Sequence, residues 1–165
     1  MQKRYFFAAA CVLLIGLAGA AQAKTDFTGD WKANIGKSDF GPIPPPDSLT
    51  MKIDHHDPDL KVNTKQTGMG GDVNFDAKYT TDGKESTNMF GPMEAKSTVT
   101  WDGDELAVTT KLDANGTDIV IKGKWTLSAD GKTFTQTAHV TSPQGEFDMK
   151  YVLEKQEAGK EPKSK

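Results

Sequence analysis

The chain has 165 residues, of which 20 are lysine or arginine and 23 are aspartate or glutamate, and its net charge is −3. A mildly acidic chain with dispersed lysines does not suit a nucleic-acid backbone, so we expect no nucleic-acid partner. Arg4 is the only arginine and Cys11 the only cysteine, and both lie within the first 23 residues. The rest of the chain therefore has no disulfide, thiol nucleophile, cysteine metal site or guanidinium clamp for a carboxylate or phosphate.

Residues 1–23 have the pattern of a secretory signal peptide. Lys3 and Arg4 give a positive start, and residues 6–17 form an apolar run that is short for a bilayer span. Ala21-Gln22-Ala23 then supplies small residues at a cleavage site. We expect cleavage before Lys24, export to the periplasm or the extracellular space, and no transmembrane segment after cleavage; an uncleaved anchor is the alternative.

Residues 24–155 alternate between apolar and polar positions with a period of two, which is typical of half-buried strands. The side predicted to be buried comprises, in chain order, Phe27, Gly29, Trp31, Ala33 and Ile35; Leu49, Met51 and Ile53; Leu60 and Val62; Val73, Phe75, Ala77 and Tyr79; a weaker segment from Glu85 to Phe90; Ala95, Ser97, Val99 and Trp101; Leu106, Val108, Thr110 and Leu112; Ile119, Ile121, Gly123, Trp125 and Leu127; Phe134, Gln136, Ala138 and Val140; and Phe147, Met149, Tyr151 and Leu153. The opposite positions are mostly threonine, lysine, aspartate, asparagine and serine, which excludes an outer-membrane barrel with an apolar outer face.

Turn dipeptides separate these segments, and such dipeptides supply the positive φ angles of tight hairpins. They are Asp82-Gly83, Asp102-Gly103, Asn115-Gly116, Asp130-Gly131 and Gln144-Gly145. The connections are too short for crossover helices, so neighbouring strands should be antiparallel. We predict an all-β fold, an antiparallel up-and-down β-barrel of about eight to ten strands, because closure removes sheet edges and covers the apolar face. A two-sheet sandwich is the main rival.

Two segments lie outside the alternation. Residues 36–47, GKSDFGPIPPPD, contain four prolines and cannot form a regular strand or helix. They form either a rigid strap across one end of the barrel or a simple surface connection. Residues 156–165 are charged and poor in apolar side chains, and we predict a disordered tail there.

The start of the alternating region carries a recognisable motif. Phe27-Thr28-Gly29-Asp30-Trp31 resembles the Gly-x-Trp signature that opens lipocalins and other calycins. The resemblance implies that Gly29 lets the chain bend at the base of the barrel and that Trp31 plugs the closed end beneath the cavity. The ten segments are also similar to the ten strands of fatty-acid-binding proteins, and the stretch from Lys37 to Pro42 resembles one found in a family of small bacterial secreted proteins with a lipocalin-like fold.

The chain departs from these families at defined places. Lipocalins usually pack an arginine of the last strand onto the tryptophan, and no arginine is present here. Lys150 or Lys155 could substitute, although Lys150 falls on the outer face by alternation. The arginines that bind fatty acids are absent for the same reason, and the proline-rich segment replaces the helical lid of that group.

The densest group of possible metal ligands is His55-His56-Asp57-Pro58-Asp59. Adjacent histidines on a strand point to opposite faces, and Asp57-Pro58-Asp59 is typical of a turn, so we predict no metal site and no cofactor. His139 is predicted to lie on the outer face. No serine lies at a strand-to-helix turn of the kind that activates a nucleophile.

Several polar residues share the face predicted to be buried, and buried polar groups without partners are costly. They either face a hydrated cavity or ligand, or they pair with one another or lie near the open ends of the barrel. The candidate ligand-binding residues are Met51, Thr64, Gln66, Phe75, Tyr79, Glu85, Val108, Thr110, Ile121, Phe134, Gln136 and Met149.

The sequence thus predicts an exported, non-enzymatic barrel that binds a small hydrophobic or amphipathic molecule in its interior. The alternative is an envelope protein-interaction or inhibitor module that acts through its outer surface and Pro44-Pro45-Pro46. An enzyme is the third hypothesis, and Glu85 is the one carboxylate that the alternation places inside.

Overall fold

The alternating segments form ten strands in the computed structural model, which describes residues 24–68, 71–114 and 116–157. The strands are β1 (Gly29–Ala33), β2 (Ser48–His56), β3 (Asp59–Thr67), β4 (Val73–Thr80), β5 (Asp82–Phe90), β6 (Met93–Asp102), β7 (Glu105–Asp113), β8 (Asp118–Leu127), β9 (Thr133–Ser142) and β10 (Gly145–Lys155). The predicted signal peptide at 1–23, most of the predicted tail (158–165) and Asn115 of one predicted turn lie outside the described residues.

The strands belong to one antiparallel sheet in the order β4-β3-β2-β1-β10-β9-β8-β7-β6-β5. Strands that are neighbours in the chain pair with each other, with the single exception of β4 and β5 among the described residues. In addition, β1 pairs with β10, so that Trp31 lies opposite Lys155. A single sheet with its two ends in contact is a nearly closed barrel. The prediction of an antiparallel up-and-down barrel is therefore confirmed, and the sandwich is excluded.

The two ends of the sheet, β4 and β5, meet at a seam without backbone pairing. The side chain of Asn88 spans it: its Oδ1 accepts from the Lys78 N–H at 2.8 Å, and its Nδ2 donates to the Lys78 carbonyl at 3.0 Å. The rings of Phe75 and Phe90 meet edge to face across the same seam, with centroids 4.5 Å apart. One amide and one aromatic pair thus join the strands where a ladder is missing.

The base of the barrel is an aromatic cluster. Phe27, Trp31 and Phe134 are almost fully buried, and their rings pack with centroids 5.5 Å apart for both Phe27–Phe134 and Trp31–Phe134. The Trp31 indole N–H donates to the Phe27 carbonyl at 3.0 Å, which satisfies its only polar group. That Gly29 and Trp31 close one end of the barrel stays a prediction of the Gly-x-Trp resemblance.

Strand β5 differs from the prediction in which face it presents to the interior. Asp82 pairs with Thr100 and Glu85 with Thr98, so two residues, Gly83 and Lys84, oppose one residue of β6. Gly83 has φ +81°, the conformation that a glycine bulge requires. It therefore belongs to a bulge rather than to the predicted Asp82-Gly83 turn.

This extra residue reverses the alternation along the rest of β5. Ser86 pairs with the buried Ser97, and Asn88 is buried, whereas Glu85 and Met89 are exposed. The prediction that Glu85 points into the barrel is wrong, because one inserted residue moves every later side chain to the opposite face.

The proline-rich segment continues the pairing with β10 beyond the end of β1, which has only five residues. After the 3₁₀ turn Ile35–Lys37, Asp39 pairs with Lys150 of β10, and the buried Phe40 packs on Tyr151 with ring centroids 5.2 Å apart. At the other end, the Asp47 N–H donates to the Thr67 carbonyl at 2.9 Å. The segment therefore joins β10 to the β2–β3 hairpin, and we call residues 36–47 the strap. Within the described residues, no helix has the length and apolar character needed to cross a bilayer.

Candidate ligand cavity

The interior of the barrel contains a cavity of about 240 Å³. Residues of eight strands line it, so residues far apart in sequence share one lining. The lining comprises Met51, Val62, Thr64, Phe75, Tyr79, Phe90, Val108, Thr110, Ile121, Gly123, Trp125, Gln136, Thr137, Ala138, Met149 and Tyr151.

Nine of the twelve candidate residues border this cavity. They are Met51, Thr64, Phe75, Tyr79, Val108, Thr110, Ile121, Gln136 and Met149. The structure places the other three elsewhere: Phe134 is buried in the aromatic base, Gln66 is half-buried nearer the end of β3, and Glu85 is exposed on the outer face. The alternation placed Trp125 and Tyr151 on the inward face but did not assign them to a site. It did not place Phe90 there, because the bulge in β5 reverses the faces of the residues that follow it.

The cavity lining is electrically neutral. Among its residues there is no lysine, histidine, aspartate or glutamate. Burial raises the pKa of Tyr79 to about 12 and raises the pKa of Tyr151, so both phenols keep their protons at physiological pH. A ligand inside the barrel would therefore meet dipoles and apolar surface but no countercharge.

Some of the inward polar groups satisfy one another. The hydroxyls of Ser97 and Thr110 form a hydrogen bond of 2.8 Å across β6 and β7. The Tyr151 hydroxyl donates to the Met149 sulfur at 3.3 Å. These groups need no ligand to offset their burial.

Two other inward polar residues have no such partner. Thr64 is 3% exposed and Gln136 is 8% exposed, and the side chain of neither forms a hydrogen bond with any described residue. Their polar atoms are not fully enclosed by the protein, since the buried side-chain atoms without a partner in the described ranges are His55 Nε2 and Thr80 Oγ1. Both residues line the cavity, so a molecule within it can supply the missing bonds.

Gly123 shapes the wall beside Gln136. A Cβ at this position would collide with the Thr137 carbonyl oxygen, so only glycine allows β8 and β9 to approach so closely. Gly123 also borders a second concavity, of about 560 Å³, on the outside of the barrel, and we call this concavity the outer groove.

The outer groove is larger than the interior cavity but is open and charged. Lys122, His139, Asp148 and Lys150 line it, with Asp39 of the strap at its margin. His139 Nδ1 lies 2.8 Å from Asp148 Oδ1, so part of this charge is already paired.

The two adjacent histidines of β2, His55 and His56, point to opposite faces of the sheet. His55 is buried and accepts from the Phe27 N–H at 3.4 Å, whereas the His56 side chain is 81% exposed and lies 3.0 Å from Asp54. Asp57 Oδ1 instead accepts hydrogen bonds from the Trp101 indole at 2.8 Å and from the Thr81 hydroxyl. The sequence cluster does not converge on one point, and no group of three or more His, Cys, Asp or Glu side chains within the described ranges could hold a metal ion.

No protein-family model and no curated protein matches this chain. Solved structures do match. Zebrafish ileal bile acid-binding protein, complexed with cholic acid, has a TM-score of 0.57 at 17% identity, over 79% of this chain and 98% of that one. Secretory abundant heat soluble protein 4 of Ramazzottius varieornatus has a TM-score of 0.54 at 18% identity, over 79% of this chain and 95% of that one.

A single-substitution variant of the fluorescent protein UnaG has a TM-score of 0.52 at 15% identity, over 79% of this chain and 96% of that one. Identities this low concern the fold alone. The matches, together with the ten-stranded barrel, show a calycin-like fold, which is the class that the Gly-x-Trp motif indicated.

Proposed function

We propose that this protein binds a small, at least partly apolar molecule inside its barrel. The observation that carries the proposal is the neutral interior cavity of about 240 Å³, whose lining includes two polar side chains that form no hydrogen bond with any described residue. Those side chains are available to a molecule inside the barrel. The bile acid-binding protein of similar fold supports the proposal by analogy.

The mechanism is burial in a preformed site. Affinity comes from apolar surface removed from water, at roughly 25 cal/mol per Å². Met51, Phe75, Ile121 and Trp125 supply that surface, and a few dipoles orient the ligand. We also propose that the protein acts outside the cytoplasm, on the strength of the signal-peptide pattern in residues 1–23.

Two matched alanine-to-phenylalanine substitutions test the interior site. Ala138 of β9 borders both the cavity and the outer groove, whereas Ala107 of β7 borders only the outer groove and so controls for changes there. We expect calorimetric titration with naphthalene to show one site per chain, lost in Ala138→Phe and kept in Ala107→Phe. Absence of naphthalene binding by the parent protein, or its persistence in Ala138→Phe, would overturn the proposal.

The second candidate function is protein interaction through the outer groove, which the 560 Å³ concavity beside the strap favours. Ala107→Phe and Gln136→Met distinguish it, because Ala107 borders only the outer groove and Gln136 borders only the interior cavity. Capture of a partner that is lost in Ala107→Phe and kept in Gln136→Met would support the outer surface.

A further inference from the structure

We propose that the cavity selects uncharged ligands that carry a hydrogen-bond donor and acceptor, and that Gln136 and Thr64 hold this polar group. The inference rests on the interior binding proposed above and names the class of molecule that the site accepts. A primary or secondary amide, a lactam or an alcohol belongs to this class, whereas a carboxylate or an ammonium does not.

Gln136 is the main polar anchor because its amide offers both kinds of hydrogen bond. It lies on β9 directly opposite Trp125 of β8 and Tyr151 of β10, and all three side chains line the cavity. Cross-strand neighbours of this kind are in side-chain contact. The amide is thus flanked by two aromatic residues, borders the cavity, and forms no hydrogen bond with a described residue.

Thr64 is the second anchor and lies on another wall. It pairs with Met51 of β2 and Phe75 of β4, and three strands separate β3 from β9 in the sheet. Its side chain is 3% exposed and likewise forms no hydrogen bond with a described residue, and it lines the cavity. A ligand between the two walls can therefore bond at one polar end while Met51 and Phe75 contact its apolar body.

The absence of charge in the lining provides the selectivity. A carboxylate moved from water into this cavity would find no lysine, histidine or arginine among the lining residues. An unpaired buried charge costs far more than an unpaired neutral dipole. The cavity volume of about 240 Å³ also lies below the range of about 300–1,000 Å³ that is usual for drug-sized ligands, so the ligand is small.

Three isosteric probes test this selectivity on the full chain: 2-naphthamide, 2-naphthoate and 2-isopropylnaphthalene. They share one ring system and differ only in a branched substituent that is a neutral amide, an anion or a hydrocarbon. At pH 7, we expect titration calorimetry to show that 2-naphthamide binds at least about tenfold more tightly than 2-naphthoate.

The variants Gln136→Met and Gln66→Met assign the selectivity to a residue. Gln136→Met should weaken 2-naphthamide about three- to tenfold, the effect of one neutral hydrogen bond, without weakening 2-isopropylnaphthalene. Gln66→Met makes the same chemical change on the same face of the barrel, but away from the cavity, and should change neither affinity. If Gln136→Met does not fold, Thr64→Val provides the same comparison.

Each outcome decides between the two proposals. Equal binding of all three probes, or an undiminished amide preference in both Gln136→Met and Thr64→Val, would overturn the selectivity but leave interior binding intact. Failure of every probe, naphthalene included, would overturn both.

Discussion

The ammonium group of Lys155 lies 5.2 Å from the centroid of the Trp31 ring, above an indole that is itself 1% exposed. Of the two lysines that the sequence offered as substitutes for an arginine on this tryptophan, Lys155 is the one that contacts it. Gly29 makes the contact possible, because a Cβ there would lie 2.8 Å from Lys155 Cε. The glycine of the Gly-x-Trp motif therefore provides room for the lysine side chain.

Removing the ammonium should weaken the base of the barrel. Lys155→Met keeps the apolar stem but loses the cation–π attraction, and we expect about 0.5–1 kcal/mol less stability in urea unfolding. Lys150→Met is the matched control, because this exposed lysine of the same strand contacts no aromatic ring among the described residues. Equal effects of the two substitutions would show that the contact contributes nothing.

Gly29→Ala should cost more than the loss of the lysine. Gly29 has φ +153°, which side chains rarely adopt, and the new methyl group would also displace Lys155. In the Lys155→Ala background, part of this cost should disappear because the displaced group is gone. Strict additivity in a double-mutant cycle would contradict a direct link between the two residues.

The Asn88 bridge should control the seam between β4 and β5. Asn88→Ala leaves the Lys78 N–H and carbonyl without their partner, and we expect a loss of about 1–3 kcal/mol. Amide exchange at Lys78 should accelerate, as measured by NMR. Asn63→Ala serves as the control, because Asn63 also bridges side chains on neighbouring strands but does so on the exposed outer face. Its cost should stay within about 0.5 kcal/mol.

The buried His55 should make stability depend on pH. Burial is the largest influence on its pKa and lowers it below 6.5, and Lys24 and His56 lower it further, while Asp26 and Asp57 oppose them. As the pH falls below about 6.5, the unfolded chain takes up a proton that the folded chain resists. The free energy of unfolding should therefore decrease from pH 7 to pH 5.

Two neighbouring histidines give the test of this pH dependence. His55→Gln keeps an acceptor for the Phe27 N–H and should flatten the decrease, whereas His56→Gln, at an exposed position, should not. Urea unfolding at several pH values measures both.

The Asp57 carboxylate should add a second pH dependence at lower pH. Its pKa is lowered from 3.8 to about 2, mainly by the hydrogen bond from Thr81. The free energy of unfolding should therefore decrease further between pH 3.8 and about 2, where the unfolded chain binds a proton more readily than the folded chain.

The bulge in β5 can be checked by cysteine labelling, because residues 24–165 contain no cysteine. Glu85→Cys should react rapidly with a charged maleimide, and Ser86→Cys should react slowly, since residue 86 faces the interior beside Ser97. The reverse order would restore the alternation that the sequence predicts.

The sequence by itself determined the barrel, because a period of two and short turns leave few other ways to bury one face of ten strands. It also determined most of the cavity lining, since inward positions follow directly from alternation in unbroken strands such as β3, β7 and β9.

Only the tertiary structure decided the rest, because those features depend on contacts between distant residues. A single inserted residue at Gly83 reversed β5, placed Glu85 outside and brought Asn88 to the seam, and alternation alone does not reveal such an insertion. The sequence also did not reveal which inward polar side chains form hydrogen bonds. Ser97 bonds to Thr110, whereas Thr64 and Gln136 form no side-chain hydrogen bond with any described residue. Hydrogen bonding across strands depends on register and three-dimensional position, and these are fixed only when the sheet closes.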